Sequence, residues 1–132
     1  MSQENVEVAR RYYELLNARD LANCFELLAD DFELVEPSLL DAGSYRGRGG
    51  LRRWFDRMDD AWSDMRWEPE EFIDAGEFVV VPVRFHSTGR STGLEQVTRL
   101  RFHTIRVVHG RISLATGYGQ RAKALEAVGL AE

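Results

Sequence analysis

This sequence of 132 residues contains little cysteine, proline, histidine or lysine, and it has no apolar run of membrane-spanning length. The single cysteine, Cys24, excludes a disulfide within the chain and a thiolate metal cluster. It fits a reducing compartment, so we expect a cytoplasmic protein. The polar, acidic N-terminus does not resemble a secretory signal, and we expect no membrane partner.

Motifs for bound cofactors are also missing. No phosphate-binding loop or nucleophile elbow occurs, and the three histidines are too scattered along the chain for the usual spacing of metal ligands. We therefore expect no cofactor and no metal. Composition is otherwise that of a folded globular protein, with 44% hydrophobic and 11% aromatic residues.

Acidic residues are absent from one long stretch. Residues 96–125 contain six basic and no acidic side chains, although the net charge of the chain is −5. The overall negative charge argues against nucleic acid as a partner. The basic stretch fits either a site for an anion or an outer sheet face covered by arginine stems.

Helical patterns occupy the first half of the chain. One helix is predicted from Ser2 or Asn5 to Ala18, and a short second helix from Leu21 to about Leu28, capped by Asp20. A third is predicted from about residue 51 to residue 65 because apolar side chains recur there at helical spacing. That stripe consists of Leu51, Trp54, Phe55, Met58, Ala61, Trp62 and Met65.

The second half alternates with the period of β-strands. Strands are predicted over residues 32–36, 44–46, 67–73, 77–86, 95–108 and 111–118, with a hairpin at His109-Gly110 and a weak terminal helix over 120–130. Helices followed by strands predict an α+β fold in one domain, residues 1–132. We expect a curved antiparallel or mixed sheet that forms a cone around the N-terminal helices.

Several segments are similar to those of a known superfamily. Residues 12–20 and 27–37 resemble the opening of ketosteroid isomerase-like proteins, and residues 45–47, 107–112 and 124–130 match later parts of the same pattern. The whole chain resembles the nuclear transport factor two-like superfamily, in its SnoaL-like branch. The resemblance implies a cone-shaped α+β barrel that is often a homodimer. It does not fix an activity, because this fold hosts isomerases, cyclases, hydrolases, dehydratases and binding modules.

Three polar residues lie on elements that should wall a core: Tyr12, Glu36 and His103. Together they suggest a pocket. By the resemblance, Tyr12 stands where ketosteroid isomerases hold the tyrosine that donates to an enolate oxygen. Glu36 stands where they hold the carboxylate base, and His103 replaces a protonated acid. These three are the predicted catalytic residues.

Six further side chains are predicted to bind substrate: Tyr45, Trp54, Phe55, Met58, Arg84 and Tyr118. The expected ligand is a small apolar or carbonyl-containing molecule.

The absence of acidic residues from the late strands argues against two enzyme classes that use this fold. SnoaL-type cyclases and epoxide hydrolases of the superfamily carry acidic residues there, and residues 96–125 have none. Chemistry of the scytalone dehydratase type would need His86 together with His103 and Glu36. Arg84, Arg99 or Arg101 could supply an arginine, but no late-strand acid accompanies it.

Two functions from different classes stay open. The first is a cofactor-free isomerase, cyclase or lyase that moves a proton next to a carbonyl group. The second is a non-catalytic ligand-binding or dimerisation module of the same fold. For either one we expect a homodimer that forms through the outer sheet face, with Leu100, Phe102 and Thr104 in the contact patch.

Overall fold

Helices come first along the chain and strands dominate afterwards, as predicted. The computed structural model describes residues 2–36, 44–89 and 97–130. Within these ranges the elements are α1 (Ser2–Asn17), α2 (Leu21–Phe25), β1 (Leu28–Val35), β2 (Ser44–Arg46), α3 (Gly47–Ala61), β3 (Trp62–Pro69), β4 (Ile73–Ala75), β5 (Phe78–Gly89), β6 (Val97–Val108), β7 (Arg111–Tyr118) and α4 (Arg121–Ala127).

The strands form one mixed, curved and open sheet in the order β2-β1-β7-β6-β5-β3, with β4 paired to β5. All pairs are antiparallel except β1 and β7, which run parallel. The predicted α+β class with a mixed sheet is therefore confirmed. The parallel pair places Val35 beside Thr116, so the residue after β1, Glu36, lies next to Gly117.

Helix α1 buries the face that its sequence predicts. Ala9, Tyr12, Tyr13 and Leu16 are each at most 3% exposed and belong to the main core beneath the sheet. At the end of α1, the side-chain amide of Asn17 donates to the carbonyl oxygen of Trp67 and accepts from its backbone N–H, at 2.7 and 2.8 Å. This pair of hydrogen bonds fixes the helix to β3.

The cap predicted at Asp20 is present, since its carboxylate accepts from the backbone N–H of Asn23 at 3.2 Å. Helix α2 ends at Phe25, earlier than expected. The physical reason is that Leu28, predicted to be helical, begins β1 and pairs there with Ile112.

The third helix lies about four residues earlier than predicted. It begins at Gly47 instead of residue 51 and ends at Ala61, so Trp62 and Met65 belong to β3. Along β3 the buried positions, Met65 and Trp67, are two residues apart, which is the period of a strand. Asp64 adopts a left-handed backbone (φ 54°) at an irregularity in the β3–β5 register. The apolar residues at the start of β3 continue the helical spacing of α3, and the sequence pattern therefore predicted a helix as far as residue 65.

Helix α4 covers part of the outer sheet face, which corrects the expected dimer patch. Phe102 and Tyr118 pack there with Val80 against the buried Ala124 and Leu125 of α4. Thr104 is only 2% exposed, whereas Leu100 is 39% exposed. Of the three residues predicted for the patch, only Leu100 is available at the surface.

Some predicted turns lie outside the described residues, namely most of the loop before β2 and residues 90–93 of the glycine-rich turn before β6. The hairpin at His109-Gly110 is present between β6 and β7. Of the helices in the described ranges, none has the length and apolarity to span a bilayer.

Candidate functional site

A cavity of about 280 Å³ opens between α3 and the concave side of the sheet. It continues toward α1 as a narrow recess of about 10 Å³, close to the space that one water molecule needs. Four residues line both parts and join them: Glu36, Trp54, Trp67 and His103. Tyr12, Tyr13, Leu16, Leu34, Ile105, Ala115 and Thr116 complete the recess, and Met58, Trp62, Phe85, Ser87, Arg99 and Arg101 complete the main chamber.

Strand β6 supplies one wall with alternate residues. Ile105 and His103 face the recess, and His103, Arg101 and Arg99 face the chamber. Because side chains two apart share a strand face, the wall changes along β6 from apolar to neutral polar to cationic. The sequence did not show toward which face these side chains point. In the structure His103, Arg101 and Arg99 all face the cavity.

His103 makes its hydrogen bond with Tyr13, the neighbour of the predicted tyrosine. The Tyr13 hydroxyl and His103 Nδ1 are 2.8 Å apart, and the two rings stack with centroids 5.9 Å apart. Burial lowers the pKa of His103 to about 4, and the nearby Arg101 guanidinium acts in the same direction. Near neutral pH the imidazole is therefore uncharged.

Glu36 lies at the junction of recess and chamber. Its side chain is 15% exposed, and its Oε2 is 3.6 Å from Arg101 Nη2. Burial raises the pKa of Glu36, an effect that Arg101 partly offsets. The carboxylate rests on Gly117, where a Cβ atom would come within 2.7 Å of Oε2. A residue with a side chain would displace it from this position.

Tyr12 lies in the same recess and is 3% exposed. Its ring meets that of Tyr13 edge-on, with centroids 5.3 Å apart. Burial raises the pKa of both phenols well above the usual value, and the negative charge of Glu36 contributes in each case. Both hydroxyl groups therefore stay protonated and can donate hydrogen bonds.

Aromatic side chains form the remaining walls. Trp67 is central, with ring centroids 5.8 Å from Trp54 and 5.1 Å from Phe85. Trp54 is 4% exposed, and its indole Nε1 is buried without a hydrogen-bond partner in the described part of the chain. Buried donors are seldom left unpaired, so an acceptor atom of a bound ligand could satisfy this N–H.

Of the nine predicted site residues, the structure brings five to the cavity: Tyr12, Glu36, His103, Trp54 and Met58. Phe55 is buried behind the wall, 6.1 Å from the Trp67 ring, and Tyr45 is buried opposite Leu34 in the β1–β2 pair. Neither lines the cavity.

Arg84 and Tyr118 are corrections, because both belong to the opposite face of the sheet. Arg84 is exposed and forms an ion pair with Glu70, and Tyr118 packs under α4. His86 also lies away from the cavity and is bonded to Glu68 Oε1 and Thr98 Oγ1, at 2.9 and 2.8 Å. The dehydratase-like set of His86, His103 and Glu36 therefore does not assemble.

Sequence reasoning missed several lining residues, above all Tyr13, Trp67, Arg99 and Arg101. Arg101 and Arg99 lie two and four residues before His103, so the strand period could have placed all three on one face. A bulge in β6 would have reversed that assignment. Tyr13 had no such signal, since it shares its helix face with Tyr12. Within the described ranges, no group of three or more histidine, cysteine or acidic residues could hold a metal ion.

Comparisons with known proteins agree on the fold. Residues 9–115 match the family described as SnoaL-like domain. A nuclear transport factor two-like protein of unknown function from Burkholderia pseudomallei superposes with a TM-score of 0.80 at 24% identity, over 96% of this chain and 98% of that one. No curated protein matches the chain.

Two similar structures contain small molecules. A hypothetical protein with a ketosteroid isomerase-like fold from Catenulispora acidiphila, in complex with trimethylamine, has a TM-score of 0.77 at 15% identity, over 94% of this chain and 93% of that one. TerC, co-crystallised with polyporic acid, has a TM-score of 0.77 at 21% identity, over 95% and 98%. At these identities the likeness concerns the fold alone.

Proposed function

Because the chain belongs to the SnoaL-like domain family, we propose that it binds a small carbonyl-containing molecule and moves a proton on a carbon next to the carbonyl group. One observation carries the proposal: a buried carboxylate, Glu36, shares a recess with two groups that can donate to a ligand, Tyr12 and His103, and with Tyr13, which is hydrogen-bonded to His103. A base and an oxyanion site are the two parts that this chemistry needs.

Glu36 is the base. Its carboxylate takes the proton from the α-carbon; the electron pair of the C–H bond forms a carbon–carbon double bond, and the π pair of the carbonyl group moves to its oxygen to give an enolate. In a β,γ-unsaturated ketone this enolate is a dienolate, and returning the proton to the γ-carbon gives the conjugated isomer and restores Glu36. Burial raises the pKa of this carboxyl group toward the working pH, which strengthens it as a base, and Arg101 at 3.6 Å favours the ionised form before substrate reacts.

The enolate oxygen is stabilised by protonated groups that stay in place. The function requires the tautomer in which the Tyr13 hydroxyl donates to His103 Nδ1, so that the ring carries its proton on Nε2 as a second donor. Tyr12 supplies another hydroxyl in the recess. Donors already positioned in a dry site stabilise developing charge more than donors in water do.

The similar structures support the use of this fold for small ligands, since one holds trimethylamine and another was co-crystallised with polyporic acid. The aromatic walls of the present chain fit a flat, apolar molecule, and the chamber of about 280 Å³ offers room for one.

The test measures proton exchange. The protein is incubated in D₂O with a panel of enolisable ketones, beginning with 3-cyclohexen-1-one and 2-tetralone, and loss of α-protons is followed by NMR. We expect exchange above the buffer rate, reduced about a hundredfold or more in Glu36→Gln. The matched control is Glu33→Gln, three residues earlier in β1, whose side chain pairs with Arg46 at the surface, and its rate should equal wild type.

Equal exchange rates in wild type and Glu36→Gln would overturn the assignment of Glu36 as the base. Saturable binding of these ketones without any exchange would instead support the second function, a ligand-binding module that uses the same cavity.

We also propose that the chain pairs as a homodimer through the outer sheet face. Leu100 is the large apolar side chain that β6 leaves exposed there, beside the area that α4 covers. Light scattering coupled to size exclusion should give twice the mass of 15.1 kDa. Leu100→Arg should shift the protein toward monomer, and a wild-type monomer at micromolar concentration would contradict the proposal.

A further inference from the structure

Two arginines line the described part of the main chamber. Among the described lining residues, Arg99, Arg101 and Glu36 are the ones with charged side chains. Arg101 is 3.6 Å from Glu36, whereas Arg99 forms no ion pair with another described residue. The chain as a whole has a net charge of −5, so two arginines in one cavity wall run against the average.

Arg99 lies at the end of the chamber away from the recess, which is called the arginine end. Along β6, Arg99 is four residues from His103, which corresponds to about 13 Å at the rise of an extended strand. Arg101 lies between them, 3.6 Å from Glu36. The recess that holds the proposed reacting groups and the arginine end are thus separated by the length of a small flat molecule.

The other described groups at the arginine end are a hydroxyl and an aromatic ring. Ser87 on β5 lines the chamber there, and Phe85 is the residue paired with Arg99 across β5 and β6. Trp54, which lines both the chamber and the recess, has a buried indole N–H that lacks an acceptor among the described residues. Guanidinium, hydroxyl and indole N–H groups are all donors, so they favour a ligand with acceptor oxygens.

From this arrangement we propose that the cavity selects an organic anion: an apolar, flat molecule with a carboxylate or an ionised enol at the end opposite the reacting carbonyl. Arg99 binds the negatively charged oxygens, the tryptophans hold the ring, and the carbonyl end enters the recess beside Glu36 and Arg101. This inference rests on the proposed function, because it names the substrate class of the same site.

A pair of probes that differ only in charge tests it. 2-Naphthoate and 2-naphthamide have the same ring frame and nearly the same shape. Their affinities are measured by calorimetry at low ionic strength, where charge interactions are least screened. We expect the carboxylate to bind about tenfold or more tightly than the amide, as a charge-assisted hydrogen bond implies.

Variants then assign the preference to the arginine end. Arg99→Gln should reduce the preference for 2-naphthoate about tenfold, and Arg99→Lys should restore part of it. The control, Arg106→Gln, removes the same charge from the same strand, where Arg106 pairs with Glu77 away from the cavity. It should leave the ratio of affinities unchanged.

The location of binding can be read directly, because all three tryptophans of the chain line this chamber. Their indole N–H signals in ¹H–¹⁵N NMR spectra should shift when 2-naphthoate is added. Equal affinities for the two probes, no binding of the carboxylate, indole signals that do not move, or a ratio insensitive to Arg99→Gln would each overturn the inference.

The two proposals fail separately. In Glu36→Gln the preference for the anion should persist or increase, since a negative charge has been removed from the wall. A preference for 2-naphthoate over 2-naphthamide without any proton exchange would therefore support the anion site and contradict the catalytic function. Glu36-dependent exchange of neutral ketones without a charge preference would do the reverse.

Discussion

The hydroxyl of Tyr13 and Nδ1 of His103 lie 2.8 Å apart, although the two residues are separated by 90 positions in the sequence. The contact connects α1 to β6 across the core and determines how the imidazole meets the cavity. With the phenol as donor, the ring nitrogen that is free to act on a ligand, Nε2, carries the proton.

Replacing Tyr13 by Phe should release the imidazole. We expect a loss of about 1 kcal/mol in the free energy of unfolding and a fall of about tenfold in proton exchange. The direct measurement is the ¹⁵N chemical shifts of the His103 ring, which should change from one tautomer to a mixture. The control is Tyr12→Phe, which leaves the contact intact. Unchanged ring shifts in Tyr13→Phe would contradict the arrangement.

His103 should make the protein less stable in mild acid. The unfolded chain takes up a proton at histidine near pH 6.5, whereas the folded pKa is lowered to about 4, so stability is lost as pH falls between these values. The expected loss from this group between pH 7 and pH 5 is about 2 kcal/mol. Urea unfolding at both pH values should show that His103→Gln is less sensitive by this amount. Identical pH dependence in the two proteins would refute the expectation.

Gly117 should be needed for the position of Glu36. In Gly117→Ala the new methyl group would come within 2.7 Å of Glu36 Oε2 and 3.2 Å of Arg101 Nη2, so these side chains must move. We expect proton exchange to fall about tenfold or more while the far-UV circular dichroism stays that of wild type. Gly119→Ala is a matched control, because its methyl group would meet Arg101 Nη1 at an ordinary 3.7 Å. Full activity of Gly117→Ala would show that the carboxylate position is not critical.

Asn17 should contribute to stability through its two hydrogen bonds to the backbone of Trp67. Asn17→Ala removes both, at an expected cost of about 1–2 kcal/mol. Asn17→Asp keeps the acceptor but sets a carboxylate oxygen against the Trp67 carbonyl, so it should cost at least as much. Urea unfolding midpoints measure both variants, and a wild-type midpoint for Asn17→Asp would exclude the donor role of the amide.

Much of the fold could be predicted because its signals are local. The periods of α1 and of the strands β5 to β7 are visible in the sequence, and so is the cap at Asp20. The end of α3 was missed because Trp62 and Met65, three residues apart, continue the helical spacing, although both belong to β3 on either side of its irregularity at Asp64. Only the pairing of β3 with β5 decides between the two.

The sequence predicted a polar pocket correctly but identified only some of the residues that line it. Glu36 and His103 stood out as polar residues on core elements, and both line the cavity. The choice between Tyr12 and Tyr13 depends on which phenol meets His103 across the core, and neighbouring residues on one helix face carry no mark that separates them. Arg84 and Tyr118 were predicted to bind substrate but lie on the outer face, and the sequence did not reveal this because inward and outward positions differ by a single residue.

The parallel pairing of β1 with β7 brings the end of the first strand against the last one, so that Glu36 rests on Gly117. The recess is consequently a long-range structure, because no fragment of the chain that lacks β1 or β7 contains it. Contacts of such sequence separation form late and slowly during folding. A ligand that binds there recognises only the completed fold, and mass action then stabilises the entire chain against unfolding. Heat resistance in the presence of a compound is therefore a readout for searching a library of organic anions without knowing the reaction.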